Sequence, residues 1–100
     1  GMAQALGVLL LDEEGRPIAD GCGGLADLAT IDLKGLDPRL SSIPIEAALN
    51  ITNLLCGPRG VARVFGPQKG ASPAAVEAMS DALDHYARVV EAETGIAVAT

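Results

Sequence analysis

One stripe of apolar side chains near the end of the sequence constrains the fold more than any other feature. Val76, Met79, Leu83, Tyr86 and Val90 recur at spacings of 3, 4, 3 and 4, which is one face of an α-helix. Ser72 stands where an N-cap belongs, with Pro73 at the first helical position. Gly95 is the matching stop. Asp81, Asp84, Arg88 and Glu91 lie off the stripe. A helix over 73–94 is about 33 Å long at 1.5 Å per residue, and its apolar face needs something to pack against. That makes the rest of the chain a layer built on this helix.

The material for that layer is aliphatic. Hydrophobic residues make up 49% of the 100 residues, yet Phe65 and Tyr86 are the only aromatic ones. The length is that of one domain, and residues 1–100 are read as such. Met2 to Leu6 reads as a helix end stopped by Gly7, and Val8-Leu9-Leu10-Leu11 as a strand buried on both faces. Asp12 to Gly15 is a turn, with a short return strand near 16–19. Residues 24–30 read as a short helix, with one helical turn starting at Pro38 behind an Asp37 cap. The clearest strand is 43–52. There Ile43, Ile45, Ala47, Leu49 and Ile51 alternate with Pro44, Glu46, Ala48, Asn50 and Thr52. Residues 61–65 are a short helix and 66–70 a loop. The fold class that follows is mixed α+β, a small sheet and short helices packed against the long C-terminal helix.

Charge narrows the choice of partners. The net charge is −6, so the surface repels nucleic acid and anionic membranes, and no apolar run is long enough to span a bilayer. Cys22 and Cys56 lack metal-ligand spacing, and His85 is the only histidine. No metal site is therefore expected, and reduced thiols point to the cytoplasm. Gly1-Met2-Ala3 does not resemble a signal peptide. His85, between Asp84 and Tyr86 with no serine elbow nearby, reads as a surface histidine. No side chain is singled out as catalytic. Against the acidic background, Arg59, Arg63 and Lys69 cluster around two glycine loops, Gly57-Pro-Arg-Gly60 and Gly66-Pro-Gln-Lys-Gly70. Glycine loops let backbone N–H groups approach an anion, and an included cation adds charge. Both loops follow the polar C-terminal end of a strand, where α/β folds gather ligands. Asn50, Thr52 and Asn53 face the same space and offer amide and hydroxyl groups to a small polyhydroxy acid, with Arg63 and Lys69 for its carboxylate or for phosphate. The same residues also serve as ordinary turn caps.

The run from Asn50 to Ser72 resembles the glycerate kinase family. Its shared features are Thr52-Asn53, the Gly57 to Gly60 spacing and Phe65-Gly-Pro-Gln-Lys-Gly-Ala71. Gln4-Ala-Leu-Gly7, Ile31-Asp32, Gly35-Leu-Asp-Pro-Arg-Leu40 and His85-Tyr-Ala87 match as well, so the resemblance covers nearly the whole chain. It implies a two-domain α/β enzyme that phosphorylates D-glycerate with ATP and Mg²⁺ in a cleft between domains. This chain resembles the smaller, inserted domain, inactive alone and binding no cofactor of its own. Carried over by position are Thr52, Asn53, Gly57, Gly60, Phe65, Gly66, Pro67, Gln68, Lys69 and Gly70, with Lys69 as an anion contact, Asn53 as a hydroxyl contact and Phe65 in the core. Arg59 matches no fixed position. Asn50 replaces a family Asp, losing a charge at similar size, and Leu54 replaces a family Pro. Two other readings stay open: a stand-alone small-anion binding module, and an interaction domain whose cut-looking ends drive self-association as a homo-oligomer.

Overall fold

The computed structural model describes residues 1–99. The elements run in the order α1 (Met2–Ala5), β1 (Leu9–Leu11), a 3₁₀ segment (Cys22–Asp27), β2 (Thr30–Asp32), a 3₁₀ turn (Pro38–Ser41), α2 (Val61–Phe65), a 3₁₀ turn (Pro67–Lys69) and α3 (Pro73–Thr94). This is the mixed α+β class expected from the sequence, with the long helix at the end.

Helix α3 starts and stops where its signals stand. The Ser72 hydroxyl accepts a hydrogen bond from the Ala75 N–H at 3.2 Å, and Gly95 closes the helix with a φ of 75°. Its most buried positions are Val76, Ser80, Ala82 and Ala87. The small side chains let the 3₁₀ segment lie close against the helix. Met79 and Leu83 are only half buried.

The sheet has two strands. β1 and β2 pair antiparallel, with Leu9 opposite Asp32, Leu10 opposite Ile31 and Leu11 opposite Thr30. Two corrections follow. β1 is not buried on both faces: Leu9 is exposed, because one small sheet on one helix covers a single side. The short helix expected over 24–30 is a 3₁₀ segment over 22–27, and Thr30 already belongs to β2. The return strand near 16–19 is reduced to one bridge between Leu11 and Pro17, with the Ile18 N–H donating to the Leu10 carbonyl at 3.0 Å. Val8, Ile18, Leu28 and Ile31 form the buried core, packed against Leu10, Leu25, Leu36, Tyr86, Val89 and Val90. His85 is no free surface group: it is half buried, its Nε2 2.6 Å from the Leu28 carbonyl.

The largest departure is at 43–52. These residues form no strand, and all of them are exposed. Alternation specifies which side chains would share a face, but a strand exists only where a neighbour takes up its backbone groups. Among the described residues no neighbour does so. No helix among them is long and apolar enough to cross a membrane.

Candidate functional site

The region after residue 50 is built from two self-closed glycine turns around α2. In the first, Gly57 has a φ of 89° and accepts a hydrogen bond from the Gly60 N–H at 2.9 Å. The Val61 N–H then reaches back to the Leu54 carbonyl at 3.0 Å. The second turn begins where α2 ends. The Gly66 N–H donates to Ala62 and its carbonyl accepts from Ala71, both at 2.9 Å. The Lys69 N–H donates to Gly66 and the Gly70 N–H to Pro67, each at 3.1 Å. Gly70, with a φ of 93°, lets the chain turn away toward Ser72.

These bonds decide what the second turn offers an anion. The N–H groups of Gly66, Lys69, Gly70 and Ala71 all serve the turn itself and Pro67 has none, which leaves the Gln68 N–H as the one backbone donor of the turn without a backbone partner. Charge presented here therefore comes from the Lys69 side chain, with the Gln68 amide beside it, rather than from a cradle of backbone donors. Lys69 is exposed and makes no ion pair among the described residues.

The expected site residues divide between two depressions. Gly66, Gln68 and Lys69 line a hollow of about 630 Å³, whose apolar wall includes Ile51, Phe65, Met79 and Leu83. Phe65 is thus a wall residue, half buried, rather than core. Thr52 and Asn53 line a separate hollow of about 310 Å³ together with Leu54 and Arg59. The consecutive residues Ile51 and Thr52 line different hollows. Asn50 lines neither of them.

Arg63 is already engaged. It forms a two-pronged pair with Glu77 of α3, Nη2 to Oε2 at 3.0 Å and Nη1 to Oε1. The guanidinium holds the Glu77 carboxyl below its usual range, and Glu77 in turn raises Arg63. Arg59, set aside on the family pattern, shares a wall with Thr52 and Asn53. The signal that could have found it is its place inside a glycine turn directly after the polar run 50–53.

Both cysteines are free thiols resting against α3. Cys22 Sγ lies 3.8 Å from the Met79 carbonyl and Cys56 Sγ 3.5 Å from that of Leu83. Burial pushes both thiols up, and for Cys56 the nearby Asp84 adds to the effect. A further hollow of about 480 Å³ is lined by Asp12, Glu13, Glu14, Asp27 and His85 among others. Its acidic rim makes it a poor seat for a carboxylate or phosphate.

The model of the glycerate kinase family matches residues 1–100. A glycerate kinase of Halalkalibacterium halodurans is 45% identical over 100 residues, all of this chain and 26% of that protein. A glycerate 2-kinase of Escherichia coli is 48% identical over 91 residues, 91% of this chain and 24% of that protein. A crystal structure described as a glycerate kinase 2 from Salmonella typhimurium LT2 superposes with a TM-score of 0.93 at 47% identity, covering 99% of this chain and 26% of that one. The chain thus spans about a quarter of the length of the relatives it matches.

Proposed function

The chain belongs to the glycerate kinase family, and from that membership we propose that it is part of an enzyme that transfers the γ-phosphate of ATP to D-glycerate. In this reading residues 1–100 are the smaller, inserted domain and supply one wall of the substrate cleft. The other wall and the nucleotide site lie in the remaining length of the polypeptide, so the hundred residues alone do not turn over. The two free thiols fit a reducing, cytoplasmic setting.

The observation that carries the reading is the second glycine turn. It sets Lys69, uncompensated by any acid among the described residues, at a concave surface, while the neighbouring Arg63 is neutralised by Glu77. A carboxylate or phosphate oxygen arriving there meets a single available ammonium group. Thr52, Asn53 and Arg59 provide hydroxyl, amide and guanidinium groups at the adjoining hollow, suited to the hydroxyls and charge of a small sugar acid. Phosphoryl transfer depends on positioning and charge neutralisation, and these residues contribute both on the acceptor side. Among the described residues no three His, Cys, Asp or Glu side chains come together to hold a metal. A Mg²⁺ ion on ATP is ordinarily held by the phosphates, waters and one or two carboxylates, so in this reading it belongs with the nucleotide, and this chain's residues act on the acceptor.

The test is a graft of residues 1–100 into the Halalkalibacterium halodurans glycerate kinase in place of its matching quarter, assayed for ATP-dependent glycerate phosphorylation. The graft is expected to turn over and the isolated chain not to. Lys69→Ala in the graft should lower kcat/KM for glycerate about 10–100-fold, the value of one charge-assisted hydrogen bond. Turnover by the isolated chain, or a Lys69→Ala graft that matches its parent, would refute the proposal.

A further inference from the structure

The Lys69 hollow is chemically unlike the ligand so far placed beside it. Its volume of about 630 Å³ lies within the range of small-molecule sites, about 300–1,000 Å³. Most of its wall is apolar, with Ile51, Val61, Phe65, Met79 and Leu83 contributing. A three-carbon hydroxy acid leaves much of that wall uncovered. Turned into the hollow, it also sets its hydroxyls against carbon, where a polar group that gives up water without a partner is penalised. Those hydroxyls find oxygen and nitrogen partners at Thr52, Asn53 and Arg59 in the other hollow. The apolar wall at Lys69 is therefore surplus to a small sugar acid.

Charge decides which apolar molecule fits. Among the described residues no acid lines the hollow, and Lys69 stands there without an ion pair. Gln68 lies beside it, with a backbone N–H that has no backbone partner. These donors suit a carboxylate. An amphipathic cation finds its counter-charges elsewhere, at the hollow lined by Asp12, Glu13, Glu14 and Asp27. A net charge of −6 also works against loose uptake of anions over the rest of the surface.

We propose that the Lys69 hollow binds medium-chain monocarboxylates, the carboxylate on the Lys69 ammonium and an unbranched apolar tail along Phe65, Met79 and Leu83. The inference rests on the reading of Lys69 as an anion contact and adds a second class of ligand to it. A carboxylate held this way occupies the ammonium group that a sugar acid needs.

Cys22 reports on the hollow from inside. It lines the hollow, whereas Cys56 does not, so the second thiol is an internal control. Butanoate, hexanoate and octanoate are titrated into the chain by calorimetry, with circular dichroism of α3 as the gauge that it is folded. Each added methylene that enters the hollow should tighten binding about 3–4-fold. Octanoate at ten times its Kd should slow alkylation of Cys22 about 10-fold and leave Cys56 unchanged. Lys69→Ala, at an exposed position, should weaken octanoate about 10-fold. Affinity that does not rise with chain length, or glycerate protecting Cys22 as well as octanoate does, would overturn the proposal in favour of a plain anion contact. Octanol binding as tightly as octanoate, or a Lys69→Ala chain that binds octanoate like its parent, would overturn it in favour of a purely apolar occupant. No octanoate binding, beside a graft that loses glycerate turnover on Lys69→Ala, would sink this inference alone. Lys69-dependent octanoate binding beside an inactive graft would uphold it and sink only the catalytic reading.

Discussion

Leu28 is the position where the packing of this chain can be tested most directly. It is 1% exposed and sits among Val8, Ile18 and Ile31, and its carbonyl is the partner of His85 on α3. Leu28→Ala removes three carbons from this space. At about 0.8 kcal/mol per buried methylene the transfer loss is about 2.4 kcal/mol. A cavity that the surrounding two strands and one helix cannot fully collapse brings the total into the range of about 2–5 kcal/mol. A chain of this size has about 5–15 kcal/mol to lose. Each kcal/mol moves Tm by about 4–8 °C, so a fall of about 10–20 °C is expected from the transfer loss alone. Leu49→Ala deletes the same atoms from a side chain that is 81% exposed, and should stay within about 0.5 kcal/mol of the parent. Urea unfolding followed by circular dichroism measures both variants, with the slope m unchanged. If Leu28→Ala costs under about 1 kcal/mol, or Leu49→Ala costs as much as Leu28→Ala, then the apolar surface of the free chain is not divided as described.

Three further outcomes are expected. Because Arg63 holds the Glu77 carboxyl below its usual range, the pair favours the folded chain fully above the ordinary glutamate pKa of about 4.3, and that benefit is lost as pH falls from there through the lowered value of the folded chain. A Tm-against-pH series should therefore show the parent above Glu77→Gln at pH 7 and the two converging in acid. Gly66→Ala would put a Cβ 2.3 Å from the Ala62 carbonyl oxygen. Differential scanning calorimetry should register a loss of more than about 1 kcal/mol, larger than for Ala74→Gly on the exposed first turn of α3. Burial and Asp84 both push the Cys56 thiol up, so Asp84→Asn should speed alkylation of Cys56 at pH 8 while leaving Cys22 unchanged, as read by peptide mapping.

What the sequence made legible is what is fixed locally. Ser72, Pro73 and Gly95 set the ends of α3 through bonds to their own neighbours. Asp37 likewise caps the turn at Pro38 by accepting from the Arg39 N–H at 2.9 Å. The 66–70 turn could be read from its two glycines. What was not legible depends on partners far along the chain. β2 is three residues, Thr30-Ile31-Asp32, with a single apolar side chain, and exists only because Leu9 to Leu11 lie beside it. The pair of Arg63 with Glu77 joins residues fourteen apart, so a cation counted as available to a ligand is neutralised. The alternation at 43–52 predicted a strand, and the pattern is real in the residues. No pairing partner stands among the described residues, so the same pattern surfaces as an exposed apolar edge.

The two hollows acquire a shared meaning at the end of that edge. Ile51 lines the Lys69 hollow and Thr52 the Arg59 hollow, as expected of consecutive strand residues that face opposite sides. Under the proposed reading, a small acid would have to span from the hollow of Thr52, Asn53 and Arg59 to that of Lys69 to meet both cations. The exposed segment and the divided site therefore meet at one place in the chain, residues 51–53, where consecutive side chains line different hollows.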